Sequence, residues 1–472
     1  MRENISTIRT VVPILSIILL TAFCGFIIAK ASITASLLLA AVIGIAVVSF
    51  LNVEVALYIL IVSMLLSPEF MIGSLAGGSA TASRGITIRF DDVLLVVIGI
   101  GWFFKTAINK ELGLFLKTPL NVPIAAYISI CLISTMLGFM MGRVKIATGF
   151  FFVLKYFEYY IVYFMVVNHL KERKQIERFV AVMLIVCGIV CLVAITQIPA
   201  GGRVTAPFEG ATGEPNTLGG YLVFMLSIVL GLLATPESTG YKKSLAVLAV
   251  LIVISLLATL SRSSWVAVIP MLIALILFSK KKMALVAILI AVILLAPFSL
   301  PKAVKERALF TVTQRYHKEQ IEIAGIRIDT STSDRLRSWK NVLTTDFIRH
   351  PLFGYGVTGY RFLDAQFPKI IVETGMIGLF VFVWLLIAIF KNGLHVYRNT
   401  TEPLFNGLAL GFLAGFVALL AHAVGSNTFI IVRIMEPFWF MTAVVIMIPS
   451  IATYEKKVPH MKAGDQNNKI NG

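Results

Sequence analysis

Charge is what this sequence has least of. Asp, Glu, Lys and Arg make up 14% of its 472 residues, against about 25% in a soluble domain. That shortage excludes a water-soluble globular fold for most of the chain. Cysteine is scarce as well. Cys24, Cys131, Cys187 and Cys191 all lie in apolar runs, and no CxxC occurs. They read as small buried hydrophobes, with neither a disulfide framework nor a metal site suggested. Acidic residues are outnumbered 24 to 41 by basic ones, giving a formal net charge of +17. Nucleic acid is a poor explanation for that excess, because the positive residues are dispersed among short loops.

What is abundant is apolar surface: 58% of residues are hydrophobic and the mean hydropathy is +0.91. The runs are continuous rather than alternating, which excludes a membrane β-barrel. A helical span needs about 20 apolar residues. Spans are expected near 11–29, 33–50, 54–72, 92–108, 120–141, 150–169, 179–199, 216–235, 244–260, 264–279, 283–299, 367–390, 405–424 and 433–452. The first reads as a retained helix, because no small-residue cleavage site follows it. The fold class is therefore an all-α polytopic membrane protein with about 12–14 transmembrane helices. It includes one long extracytoplasmic loop containing amphipathic helices. Five stretches are expected: N-terminal transmembrane helices (1–199), core transmembrane helices with arginine-bearing outer loops (200–299), the long extracytoplasmic loop (300–366), C-terminal transmembrane helices (367–453) and a disordered cytoplasmic tail (454–472).

A cytoplasmic N-terminus puts every dense basic cluster between spans on one side. Among them are Lys105, Lys110 and Lys117; Lys171, Arg173, Lys174 and Arg178; Lys242 and Lys243; and Lys280, Lys281 and Lys282. That agrees with the positive-inside rule and leaves both termini cytoplasmic. The opposite loops are basic too, but there arginine outnumbers lysine, as at Arg84, Arg89, Arg143, Arg203, Arg262, Arg307, Arg335 and Arg337. Arginine offers an always-charged fork suited to bidentate phosphate binding. The outer face thus looks built to meet a pyrophosphate or a polyanion, beyond simple solvation of a loop or contact with lipid phosphates.

Three stretches concentrate this chemistry. TLSRSSWVAV (259–268) forms a tight outer turn, where Ser261, Ser263 and Ser264 are expected to cap the next helix and Trp265 to anchor at the interface. Arg262 then stands at a helix N-terminus, a position that favours an anion. GGRVTAPFEGATGEPNTLGGYLVF (201–224) holds Arg203, Glu209 and Glu214, with Asn216 placed to cap a helix. SDRLRSWKNVLTTDFIRHPLFGYGVTGYRFLDAQFPKIIVETGMIGL (333–379) opens with Leu336, Trp339, Val342 and Leu343 at helical spacing, as in a surface-lying helix. A glycine-rich turn follows, then Asp364, Gln366 and Glu373. GYGVTG fits a dinucleotide pattern only formally, since it follows no strand. Glu373 falls about two turns into a membrane helix, where a carboxylate is expensive and is a functional candidate. A structural ion pair is its alternative. Lys155 and Glu158, three apart, read as a helix pair, and Arg89, Asp91 and Asp92 as a charged helix entry. His422 ends a helix on the outer side and is a further candidate for the cavity.

Taken together, these stretches resemble the O-antigen ligase and O-antigen polymerase superfamily of bacterial membrane glycosyltransferases. The matching residues are Ser261 and Arg262; Arg203, Pro215 and Asn216; Arg335 and Trp339; HPLFGYG (350–356, with His350); and ETGMIGL (373–379). The resemblance implies a donor glycan on undecaprenyl diphosphate, an acceptor glycan, membrane lipids, and neither metal nor cofactor. It implies that Arg203, Arg262 and Arg335 bind diphosphate. Asp364 or Glu373 would serve the acceptor, and Asn216, Ser261, Trp339 and His350 would support them. It also brings a flippase and a chain-length regulator as expected partners, and the bacterial inner membrane as the expected location. One departure matters. Ligases of the family carry a histidine, often followed by asparagine, about nine residues before the ETG glutamate; here Asp364, Ala365 and Gln366 stand there. A carboxylate there can act as general base, and the change favours a polymerase of O-antigen or exopolysaccharide over a ligase acting on lipid A–core. A lipid-linked oligosaccharide or anion transporter is a further alternative. It fits less well, because the polar residues gather at one face rather than at the midplane.

Overall fold

A computed structural model describes residues 51–71, 87–108, 116–209, 213–235, 241–279, 301–317, 320–323 and 325–470, with scattered positions in 44–48 and 282–294. The expected spans at 11–29, 33–50 and 283–299 lie wholly or mostly outside the described residues. The other eleven each coincide with a helix. They are α1 (Val53–Leu66), α2 (Phe90–Ile108), α3 (Asn121–Met140), α4 (Ile146–His169), α5 (Arg173–Gln197), α6 (Pro215–Ala234), α7 (Lys242–Ala258) and α8 (Arg262–Phe278). After the long loop come α11 (Gln366–Asn399), α12 (Pro403–His422) and α13 (Val432–Ile470). Among the described residues, seven helices are long and apolar enough to cross a membrane. The chain is an all-α polytopic membrane protein. Its only described strands form two short antiparallel hairpins, Glu69–Met71 with Thr87–Arg89 and Glu322–Ile323 with Ile326–Arg327. Helix α13 continues through the polar stretch from 454, where composition predicts no order.

Inside a bilayer the hydrophobic effect does not hold helices to one another, so close packing and buried polar contacts must. Helices α6 and α12 meet through Gly231, Gly407, Gly411 and Gly415. A Cβ on Gly411 would sit 2.7 Å from Ile228 Cα. Around this seam Phe224, Phe412, Phe416 and Phe438 interlock, with Phe412 and Phe438 stacked at 5.7 Å.

Contacts between loops define two ends of the bundle. At one, Arg178 pairs with Glu54 at 3.1 Å and Arg173 with Glu402 at 2.9 Å. At the other, the loops expected on the outer side converge. Arg433, 1% exposed, donates to the carbonyls of Leu65, Ser67 and Pro207, and so ties α13 to the end of α1 and to the 201–214 loop. Two charged groups that the sequence suggests separately form one cluster here. Arg89 faces Asp91 at 3.1 Å, while Lys155 pairs with both Asp92 and Glu158.

Within the long loop, α9 (Lys302–Thr313) and α10 (Thr330–Asn341) flank the second hairpin. A π-turn, Val342–Asp346, continues α10. Only Val342 of the expected apolar stripe is fully buried, in a small cluster with Leu363, Ile371 and Val372, whereas Leu336 and Leu343 are exposed.

Candidate functional site

The site is built where the 201–214 loop, the turn into α8, helices α9 and α10, and the start of α11 meet. The SR turn shapes it first. Leu260 takes φ +49° and Ser261 is extended, which turns the chain sharply from α7 into α8. The expected serine caps do not form: Ser261 makes no capping bond to α8. Its hydroxyl turns inward to Asn216 Oδ1 (2.7 Å) and Ser264 Oγ (2.7 Å). Ser264 Oγ reaches His422 Nε2 at 3.1 Å, and His422 Nδ1 reaches Thr428 Oγ1 at 2.7 Å. Ser261, Ser264, His422 and Thr428 are all fully buried. Inside a membrane bundle these hydroxyls do better bonding each other than leaving partners unsatisfied. Gly219 makes the room, since a Cβ there would overlap Ser264 Oγ.

Asn216 is likewise not a cap. Pro215 opens α6 at the position where a missing N–H costs nothing, and Asn216 Oδ1 instead accepts from Arg203 Nη2 at 3.4 Å. Arg203 Nε also donates to the Thr259 carbonyl at 3.1 Å. The chain of contacts from His422 through Ser264, Ser261 and Asn216 therefore ends at the Arg203 guanidinium.

Around Arg203 stand three more arginines. Partial burial of its guanidinium, then the positive charges of Arg307, Arg262 and Arg335, push Arg203 down to about 10. Arg307, on α9, is lowered by burial and by Arg262 and Arg335, and its Nε donates to the Leu260 carbonyl at 3.4 Å. The structure thus brings Arg203, Arg262 and Arg335 into one neighbourhood and adds Arg307. Nothing in the sequence singled Arg307 out beyond a charge in a long loop.

The four are held differently. Arg262 forks onto Asp329, with Nη1 to Oδ2 at 2.7 Å and Nη2 to Oδ1 at 2.8 Å, and Nη1 also meets Thr311 Oγ1 at 2.7 Å. Asp329 is 1% exposed and caps α10 through Thr332 N. Burial alone would raise the Asp329 carboxyl, but hydrogen bonds from Arg262 and Thr332 outweigh it and hold the group below the usual carboxylate range. Arg335, two turns from that cap, makes one side-chain contact, Nη2 to Asp364 Oδ2 at 2.9 Å. Its Nε is out of solvent and has no partner among the described residues.

Glu373 and the glycine-rich turn form a joint beside this cluster. Helix α11 breaks at Gly375 (φ +67°, ψ −166°). The turn at 351–356 fills the break through backbone bonds: Tyr355 N to Val372 O (2.8 Å), Gly356 N to Glu373 O (2.9 Å), Met376 N to Pro351 O (2.8 Å) and Ile377 N to Leu352 O (3.3 Å). A Cβ on Gly375 would overlap the Leu352 carbonyl, and one on Gly354 the Val372 carbonyl. The glycines therefore serve backbone contact within the protein. The Glu373 carboxylate, 5% exposed, accepts from Lys369 Nζ at 2.6 Å and Thr358 N at 3.1 Å. Its ion-pair partner is a lysine one turn earlier in the same helix. Trp339 packs on Phe367 at 6.4 Å. His350 stands edge-on to Tyr355 at 4.5 Å, and burial with Arg143 and Arg349 lowers its pKa. Trp339 and His350 thus pack on aromatic rings.

Chemically, the arrangement is a cluster of guanidinium groups with a partly exposed carboxylate, Asp364, bonded to one of them. Such a cluster can stabilise a departing diphosphate. Among the described residues no group of His, Cys, Asp and Glu is arranged to hold a metal ion.

No curated protein matches this sequence. Residues 247–383, which hold the SR turn, Arg307, Arg335, the glycine-rich turn and the break in α11, match the family model described as O-antigen ligase.

Proposed function

We propose that this chain is a polysaccharide polymerase that transfers a glycan from undecaprenyl diphosphate to an acceptor sugar at the outer face of the bacterial inner membrane. The observation that supports this most is that Arg203, Arg262, Arg307 and Arg335 lie within electrostatic reach of one another, with Arg203 and Arg307 bonded to the adjacent Thr259 and Leu260 carbonyls. Asp329 and Asp364 pair with Arg262 and Arg335, whereas the described bonds of Arg203 and Arg307 go to neutral oxygens, and an anionic ligand would offset the positive charge left there. In the reaction an acceptor hydroxyl oxygen bonds to the donor's anomeric carbon. The bond from that carbon to the phosphate oxygen breaks, and the diphosphate lipid leaves with the electron pair. Arg203, Arg307 and Arg335 take up the charge that develops on it. The hydroxyl proton passes to Asp364, which is 36% exposed at the side chain and reachable by an acceptor. Glu373 is a poorer base, because Lys369 and Thr358 N already occupy it.

A ligase acting on lipid A–core is the second reading, favoured by the description of the matching family. A strain lacking the gene separates the two: loss of a polymerase leaves single lipid-linked units, whereas loss of a ligase accumulates long lipid-linked chains. The cationic pocket itself is tested with purified protein and a lipid-diphosphate-linked repeat unit. Arg203→Gln, Arg307→Gln and Arg335→Gln should each lower release of diphosphate lipid by about tenfold or more, the value of one charge-assisted hydrogen bond. Unchanged release in all three would overturn the assignment.

A further inference from the structure

The two arginine–carboxylate pairs in the pocket are built for different tasks. Arg262 and Asp329 are joined by two short bonds, and Asp329 is fully buried and doubly engaged with Thr332. Releasing that pair would strand a buried charge and uncap α10, so it is a fixed strut. Arg335 and Asp364 share a single bond, with side chains 22% and 36% exposed. Arg335 Nε is buried and without a partner among the described residues, so the fork has donor capacity in reserve. Arg335 also lies close enough to Arg203 and Arg307 for its charge to lower both. A carboxylate on one prong of such a fork occupies a place that a phosphoryl group could take.

We infer that Arg335 exchanges partners. It is neutralised by Asp364 when the pocket is empty and turns to the diphosphate when the donor enters, which leaves the Asp364 carboxylate uncovered for the acceptor hydroxyl. This rests on the reading of the pocket as a diphosphate site. The exchange orders the reaction: a base masked by an arginine is uncovered only when the leaving group is in place. Without the donor, Asp364 stays paired, and the acceptor meets no free carboxylate.

The test is the binding of undecaprenyl diphosphate to the full chain in nanodiscs, for wild type, Asp364→Asn, Arg335→Gln and the double variant. If wild type does not bind the lipid, the diphosphate reading itself fails. If it binds, the exchange requires that Asp364→Asn bind about two- to fivefold more tightly, because the competing carboxylate is gone. It also requires that this gain vanish in the Arg335→Gln background, since the competition is for Arg335 alone. Unchanged or weaker binding by Asp364→Asn overturns the exchange. So does an equal gain in both backgrounds, which would mark a general field effect.

Discussion

Arg262 and Asp329, 67 residues apart in sequence, meet as a two-pronged ion pair at 2.7 and 2.8 Å. The pair joins the start of α8 to the cap of α10, and through α10 it sets where Arg335 stands. Arg262 therefore acts on the pocket in two ways: it adds positive charge, and it holds another arginine in position.

Removing either member should loosen the same contact. Arg262→Ala and Asp329→Ala should each cost about 3 kcal/mol or more, as expected when one partner of a buried pair is left alone. The double variant should cost less than the sum. Limited proteolysis within 301–349 and thermal unfolding would measure this. The pH dependence follows from the lowered Asp329 carboxyl. A group whose folded value is depressed contributes stability above its unfolded value and loses it as pH falls through the folded one. The α10 contact should thus be unchanged at neutral pH and loosen only in acid, below the usual carboxylate range. Loosening near pH 7 would contradict the pair's role.

Gly375→Ala and Gly142→Ala form a matched test of the joint. Both glycines have positive φ, +67° and +69°. At Gly142 a Cβ would meet nothing within 4 Å, whereas at Gly375 it would overlap a carbonyl. Gly142→Ala should cost about 1–2 kcal/mol, the backbone term alone. Gly375→Ala should abolish activity and sharply reduce folded yield. Equal effects in the two, measured by fluorescence-detected size exclusion, would show that the close approach at the joint is unimportant.

Glu373→Gln and Asp364→Asn separate support from chemistry. Glutamine at 373 keeps an acceptor for Thr358 N while losing the ion pair with Lys369. Transfer should persist with lowered thermal stability. Asp364→Asn should fold normally and lose about 10²–10⁴-fold in transfer, the scale of a missing general base. The reverse pattern in an assay of diphosphate-lipid release would move the base to Glu373.

The helices were legible because each span carries its own apolar run, and the outer arginines because charge in an apolar sequence stands out. Their partners were not. Asp329 is one acid among several in a polar loop, and only the fold decides that it faces Arg262. Ser261, Ser264 and Asn216 looked like caps because those residue types suit helix starts; burial gave them each other instead. The break at Gly375 was hidden inside an apolar run, and the glycines of the 350–359 turn offered loop signals without a target. His422 is visible as a candidate, but its link to Arg203 needs four hydrogen bonds through three intervening side chains, Ser264, Ser261 and Asn216.

The joint at Gly375 is made of main-chain amides and carbonyls and of the Ser134 hydroxyl, which donates to the Glu373 carbonyl, while the side chains of Leu352 and Met376 are exposed. Side chains at such positions can therefore be exchanged while the scaffold beneath keeps its shape.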